Sequence, residues 1–401
     1  MRGRLTEREI VLVVAAAQFI NVLEFMIVMP LGPDYAAALG FRADLLPFVA
    51  SAYTWAAAAA GLAGALFLDR IERRRALVLC LGGLVLSTAA AGFAQSFSTL
   101  VVLRAVAGLF GGPATSISMS IVADAVPDER RGRAFSTVLL AFSLAAIVGV
   151  PAGLELARLA GWRAPFFAIA LLGMSAVVAS ARLPPLAAQR RQRDEAAFVG
   201  VRRMLSTPQI LRSYAMTCAL QMSGFLLIPN LSPFLQRNVG FPRARLALLY
   251  LGGGLVSLVS TRLSGRAVDR YGSLPVATLG LAILGPVMVL SFVRPLPVAA
   301  VPLAFGAYMF ALGMRNVAYN TLVSKVPAAD ERARFQSLQS TLGHLSISCA
   351  ATIAGHFLTT GARGELVGMP RLVYLSLAIS ALLPPLMWRV ERDVRTAAPS
   401  A

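Results

Sequence analysis

Leu68-Asp69-Arg70-Ile71-Glu72-Arg73-Arg74-Arg75 sets six charged side chains in eight residues between two long apolar runs. A segment crossing a hydrocarbon core does not hold such a cluster, because each intramembrane charge is costly, so the octet is a turn between two spans. It has an echo. Gly265-Arg266-Ala267-Val268-Asp269-Arg270-Tyr271-Gly272 repeats the Asp-Arg pair at an offset of 200 (269 minus 69). The same offset relates Pro127 to Pro327 and Phe135 to Phe335, each pair just beyond a long apolar run. A chain of 401 residues with an internal offset of 200 reads as two copies of one unit.

Composition agrees with a membrane setting. The chain is 57% hydrophobic and only 14% charged, with a mean hydropathy of +0.71. A soluble domain carries about 25% charged residues, so this chain lacks the charge to cover a globular surface in water. Its apolar runs are about 20 residues long, enough to cross a core roughly 30 Å thick. Cys80, Cys218 and Cys349 all fall inside apolar runs, without paired or metal-ligand spacing, and read as packing residues. The N-terminus, Met1-Arg2-Gly3-Arg4, leads into an apolar run without a small-residue cleavage site and reads as a first span.

Twelve apolar segments follow, six on each side of a polar stretch at 183–209 that opens with Pro184-Pro185. In the first half they cover about 10–34, 45–68, 75–95, 98–123, 134–158 and 162–182. In the second they cover about 210–235, 245–268, 274–293, 298–324, 335–359 and 371–389. The expected architecture is an all-α membrane protein of twelve transmembrane helices in two six-helix pseudo-repeats. Its parts are an N-terminal bundle at 1–182, a cytoplasmic linker at 183–209 with a short amphipathic helix around Phe198–Leu205, and a C-terminal bundle at 210–401.

The net charge of +18 resembles that of a nucleic-acid binder, but its placement explains it otherwise. Of the 37 Lys and Arg residues, 25 lie in the termini, the central segment and alternate loops, nine lie in the other loops, and Arg104, Arg262 and Arg315 lie within spans. Positive residues accumulate in cytoplasmic loops, so both termini and the linker are expected in the cytoplasm, with the lipid bilayer and no nucleic acid as partner.

Several motifs now give the chain a resemblance. The turn after span 2, with Asp69, Arg70, Arg73 and Arg74, resembles the Gly-x-x-x-Asp-Arg-x-Gly-Arg-Lys pattern of the major facilitator superfamily, departing from it at Ala65 and Glu72. The copy after span 8 fits at Gly265, Asp269, Arg270 and Gly272 but lacks the trailing basic pair. In span 4, Arg104-Ala105-Val106-Ala107-Gly108 is similar to the family's Arg-x-x-x-Gly, and Asp124-Ala125-Val126-Pro127 followed by Arg131-Gly132-Arg133 to its usual exit. In span 5, Gly149, Pro151 and Gly153 resemble the antiporter motif, with Val150 interrupting the usual Gly-Pro. The resemblance covers nearly the whole chain and points to the twelve-helix drug:proton antiporter and arabinose-efflux-like branch. It implies a multi-pass protein of the inner or plasma membrane, a monomer, with spans 1 and 4 lining a central cavity. It also implies that the cytoplasmic Asp-Arg turns stabilise an outward-facing state. It leaves the substrate open.

Two carboxylates fall inside the expected spans, Glu24 and Glu155. Gln18, Asn21 and Glu24 recur at i, i+3 and i+6 and share one face of a helix. Glu24 lies roughly 15 Å from the outer end of its span, and Arg104 roughly 9 Å below the outer end of span 4, so the two are at compatible depths. An unpartnered charge there costs about 3 kcal/mol or more. Two readings stand: a protonation site tuned by Arg104, or a permanent ion pair that fixes helix packing. Glu155, one turn from Arg158, reads either as a second proton site or as a side chain reaching the interface. In the second half, Tyr214, Thr217 and Gln221 make a polar stripe on span 7, and Arg315, Asn316 and Tyr319 cluster on span 10. These read as cavity lining or as helix-packing contacts. His344 reads as a coupling residue or as a packed, hydrogen-bonded histidine.

Enzyme readings find no support. The single lysine, Lys325, follows no Gly-rich loop, and neither a Cys/His metal cluster nor a serine nucleophile elbow occurs. Without a nucleotide site, the energy source expected is a proton gradient, and no cofactor or metal is expected. The leading reading is a proton-coupled exporter of a small organic molecule; a proton-symport importer and a non-transporting sensor on the same fold remain open.

Overall fold

Repetition governs the structure at the level of single residues. The computed structural model describes residues 6–67, 71–185, 204, 206–294, 296–327 and 332–397. Asp69 and Arg70 lie outside the described residues, as do most of the 183–209 segment and the amphipathic helix expected near Phe198. The chain forms two compact units, one of Met1–Arg190 with Arg243–Leu251 and one of Arg191–Pro242 with Gly252–Ala401.

The first unit starts with α1 (Glu7–Ile27), capped by Thr6, whose hydroxyl accepts from the Glu9 amide while the Glu9 carboxylate takes the Thr6 amide. Span 1 was expected to run unbroken to 34. Instead α1 stops short of Pro30, and α2 (Gly32–Leu39) begins afresh with Pro33 in its first turn. Proline has no amide hydrogen to continue the helical ladder, which explains the break. After a 3₁₀ turn (Ala43–Leu45) come α3 (Leu46–Phe67), α4 (Arg73–Ala91), α5 (Phe97–Ala125), α6 (Asp128–Leu144), a π-helical turn (Ala145–Gly149), α7 (Val150–Ala160) and α8 (Ala164–Ala181).

The second unit contains α9 (Pro208–Phe225), α10 (Leu231–Arg237), most of α11 (Leu246–Tyr271), α12 (Ser273–Phe292), α13 (Val301–Val323), α14 (Arg332–Phe357), α15 (Met369–Ser380) and α16 (Leu383–Ala397). The last expected span is broken between α15 and α16, just before Pro384. A two-stranded antiparallel ribbon pairs Thr359 with Val367 and Thr360 with Leu366. Asn238 clamps it, donating to the Leu366 carbonyl and accepting from the Leu366 amide, both at 2.9 Å.

The offset of 200 holds in the conformations. Gly40 ends α2 with φ +70°, and Gly240 follows α10 with φ +75°. Both positions need a left-handed backbone, which glycine alone adopts without strain. A 3₁₀ turn follows each, at Ala43–Leu45 and at Arg243–Arg245, and the next helices open at Leu46 and Leu246.

Among the described residues, eleven helical segments are long and apolar enough to cross a membrane. Helix α14, at 26 residues, is long enough as well but carries Gln336, Gln339, His344 and His356. Burial is reversed from that of a soluble protein. On α4, Leu77, Leu81 and Leu84 are fully buried, yet Leu79 and Leu86 are 63% and 66% exposed. Such a surface belongs in lipid. There the hydrophobic effect does not drive helices together, and close packing through small residues does. At Gly108 an added Cβ would stand 2.0 Å from the Tyr53 carbonyl oxygen, and at Gly112 it would stand 2.6 Å from that of Ala57. The missing side chains are what let α5 lie against α3.

Candidate functional site

In the first unit, the stripe expected on α1 is in place. Gln18, Asn21 and Glu24 are all buried, and they face a matching stripe on α5: Arg104, Gly108, Gly111 and Thr115, spaced 4, 3 and 4. Asn21 donates to the Gly111 carbonyl at 3.1 Å and to Thr115 Oγ1 at 3.0 Å, and Gln18 donates to the same hydroxyl at 3.3 Å. Arg104 Nη1 donates to Glu24 Oε1, and both side chains are 1% exposed.

Tyr53 on α3, a residue that carries no signal in an Ala-rich span, completes the arrangement. Its ring lies under the Arg104 guanidinium at 4.8 Å, and its hydroxyl donates to Asn21 Oδ1 at 3.2 Å. A stacked guanidinium gains a cation–π attraction that strengthens as water is removed. Arg104 is thereby held from two sides. Glu24 Oε2 and Arg104 Nε make no hydrogen bond to the described residues, nor does Gln18 Oε1. One carboxylate oxygen is thus fixed by the arginine, and the other is left without a hydrogen bond to the described residues. The arrangement resists loss of either charge, since removing one partner strands the other in an apolar interior.

The π turn and α7 together pack against α1. An added Cβ at Gly149 would meet Leu23 at 2.6 Å, and one at Gly153 would meet Ile27 at 2.6 Å, so both glycines of the span-5 motif seat α1 residues flanking Glu24. Pro151 sits in the first turn of α7, just after the π turn. Such turns recur at functional sites. Glu155 does not join Glu24. It is exposed, and Arg158 donates to it at 2.5–3.0 Å, the local pairing that an interfacial side chain makes.

In the second unit, Tyr214 is committed to packing. Its ring stacks on Phe335 at 5.1 Å, and its hydroxyl donates to the Phe335 carbonyl at 3.4 Å. Thr217 shares a 2.6 Å hydrogen bond with Tyr319, which also accepts from Gln339 Nε2 at 2.8 Å. Gln221 stands against Gly343 on α14, where an added Cβ would lie 3.7 Å from its amide nitrogen. Arg315 is buried, with Nη1 donating to Ser223 Oγ at 3.1 Å and Nε without a partner among the described residues. Asn316, on the next position of α13, is exposed. Gln339 Oε1 and His344 Nδ1 are likewise buried without a hydrogen bond to the described residues.

Of the expected turn motifs, Arg73 lies 3.5 Å from Asp124, joining the start of α4 to the end of α5, and Arg74 donates to the Leu183 carbonyl at 3.4 Å. Glu72, where the resembled pattern has glycine, pairs with Arg74 at 3.2 Å and Arg75 at 3.0 Å. In the second turn, Asp269 is exposed and makes no ion pair among the described residues, Arg270 lies over the Tyr271 ring at 5.2 Å, and Gly272 takes φ +89°. An added Cβ at Gly265 would meet nothing within 4 Å.

The motifs and the paired six-helix pattern agree with a family match that spans residues 14–351. The chain belongs to the Major Facilitator Superfamily. Among curated members of the family, it is 28% identical over 373 residues to the chloramphenicol resistance protein of Streptomyces lividans, covering 89% of this chain and 91% of that one. It is 26% identical over 288 residues to the purine ribonucleoside efflux pump NepI of Escherichia coli (strain K12), covering 72% and 71%. Solved structures share the fold. A bacterial homologue of the human lysosomal transporter Spinster superposes with a TM-score of 0.74 at 16% identity, covering 99% of this chain and all of that one. A D-xylose-proton symporter gives 0.74 at 16% identity, covering 96% and 97%.

Proposed function

We propose that this transporter exports a small organic molecule in exchange for protons, by alternating access, with Glu24 as the residue that takes up and releases the proton. The observation that carries the reading is the buried Glu24–Arg104 pair, in which one carboxylate oxygen is held by the guanidinium and the other makes no hydrogen bond to the described residues. An acid buried in apolar surroundings favours its neutral form, and a neighbouring guanidinium favours the carboxylate. Both influences act on the one Glu24 side chain, which is the setting a reversible proton carrier requires. Arg104 gives the deprotonated state its counter-ion.

Efflux is favoured over uptake by the curated relatives, since two are named for resistance and for efflux. The bias of 25 basic residues against nine supports cytoplasmic termini in the inner or plasma membrane of the cell. No cofactor enters the scheme; the proton gradient supplies the energy.

The test is accumulation by proteoliposomes of the full chain under an imposed pH gradient. Chloramphenicol, inosine and a mixed set of small carboxylic acids with their primary amides are offered together and read by mass spectrometry. Gradient-dependent movement of at least one compound, abolished by collapsing the gradient with a protonophore, is expected. Movement that survives protonophore contradicts proton coupling, and the absence of any movement contradicts transport of these classes.

A further inference from the structure

Arg315 has no counter-ion among the described residues, and the position beside it is a glycine. In the first unit, a helix-forming segment places Glu24 against Arg104. At the offset of 200 that superimposes Gly40 on Gly240 and Leu46 on Leu246, position 24 falls on Gly224 of α9. A Cβ added at Gly224 would lie 3.6 Å from Arg315 Nη2, with the Ile228 side chain at 3.6 Å, ordinary contact distances. The arginines themselves are not repeat counterparts, since the same offset sets Arg104 against Ala304 and Arg315 against Thr115, but in the second unit a buried arginine again stands beside this position, with no carboxylate on it.

Nothing else in the helices around Arg315 makes up the deficit. Helices α9, α12, α13, α14 and α15 contain no Asp or Glu in their sequences. Arg315 is 4% exposed, and its one hydrogen bond among the described residues goes from Nη1 to the Ser223 hydroxyl. A guanidinium keeps its charge and has five donors, and a buried charge without a partner is strongly unfavourable. The edge formed by Nε and Nη2, which a carboxylate grips with two parallel hydrogen bonds, is the part not engaged by Ser223. One turn further along α13, the same face continues with Tyr319, which joins Thr217 and Gln339 in a chain of hydroxyl and amide groups.

We propose that Arg315 binds a carboxylate of the transported molecule, which lies beside Gly224, where the glycine leaves the space next to the guanidinium without a side chain. This deepens the transport reading and rests on it for the word "transported". The substrate class is then a small organic acid with one carboxylate. A phosphate, with its second charge, would call for a second cation that α9 and α13 do not place beside Arg315. The match over residues 14–351 carries the family but no substrate, and the acid-free helices around Arg315 point to an anionic one.

Binding to the detergent-purified full chain tests the proposal without requiring transport. The probes are aromatic and aliphatic monocarboxylic acids, each matched with its primary amide, together with phenyl phosphate. Binding is read by titration calorimetry and by the shift in unfolding temperature. In the parent, at least one acid binds ten-fold or more tightly than its amide. Arg315→Gln loses that preference while unfolding at the same or a higher temperature, because it removes an uncompensated buried charge. Gly224→Asp, which supplies an internal carboxylate, also loses the preference and raises the unfolding temperature. The proposal is overturned if no acid is preferred over its amide, if Arg315→Gln retains the preference, or if phenyl phosphate alone binds. If acids bind through Arg315 but do not move under a pH gradient, the site stands and the transport reading fails. If compounds move with no acid preference and no effect of Arg315→Gln, transport stands and the site falls.

Discussion

Glu24 stands against Arg104 as a buried ion pair, whereas Gly224, 200 residues later in the sequence, sets no side chain against the buried Arg315. One half thus carries an internal ion pair and the other a cation that is left unpaired among the described residues. Duplication explains the shared architecture, and the halves differ at the charged positions themselves, because at the offset of 200 Arg104 corresponds to Ala304 and Arg315 to Thr115.

The Glu24–Arg104 pair should behave as a unit in stability. Arg104→Ala alone leaves a buried carboxylate without its partner and should cost about 3–5 kcal/mol. The double variant Glu24→Gln/Arg104→Gln removes both charges and should recover most of that loss. Thermal unfolding in detergent reads the difference, and equal destabilisation by single and double variants would show that the two charges are not coupled.

Tyr53 is expected to position Arg104. Tyr53→Phe keeps the ring under the guanidinium and deletes the hydrogen bond to Asn21, so it should cost about 1 kcal/mol of stability and little transport. Tyr53→Ala removes both contacts and should lower gradient-driven accumulation several-fold. Comparable transport in the two variants would assign the ring no part in holding Arg104.

Gly108→Ala tests the approach of α5 to α3. The new methyl would stand 2.0 Å from a backbone oxygen, where no side-chain rotation relieves it, so the helices must separate. Overpacking of this kind costs about 1–3 kcal/mol. Yield and unfolding temperature should both fall. Gly265→Ala, where an added Cβ meets nothing within 4 Å, serves as the control and should change neither.

In the first unit, Arg243 grips Asp34 with contacts of 2.6–2.9 Å and also donates to the Leu154 carbonyl at 3.1 Å. Two-point pairing fixes direction as well as distance. Asp34→Ala and Arg243→Ala should each perturb transport, and the exchange Asp34→Arg/Arg243→Asp should restore part of the loss. Additive damage in the exchanged variant would mean that the two residues act separately.

Much of this was legible in the sequence, for identifiable reasons. The charge octet and its echo 200 residues later mark the duplication because charged turns stand out against apolar spans. Gln18, Asn21 and Glu24 declare a common face because helical periodicity is a local property. Tyr53 and Thr115 were not legible: each reaches the site through packing between helices distant in sequence. The breaks after α1 and α15 do not show in the apolar pattern, because apolar content continues across Pro30 and Pro384 while the hydrogen-bond ladder does not. The repeat echo was visible in the charged turns, but the pairing of Glu24 with Gly224 acquires meaning only once Arg315 is seen beside that glycine.

The central claim is that Glu24 carries the coupled proton, and its most direct test separates coupling from passage. Proteoliposomes of the full chain are assayed in two modes with a compound that the parent moves: accumulation under an imposed pH gradient, and exchange of labelled for unlabelled compound without one. Glu24→Gln, which keeps the shape and hydrogen-bonding capacity but cannot ionise, should lose accumulation by ten-fold or more while retaining exchange near the parent level. Accumulation by Glu24→Gln equal to that of the parent would contradict the account and place the coupled proton on another residue.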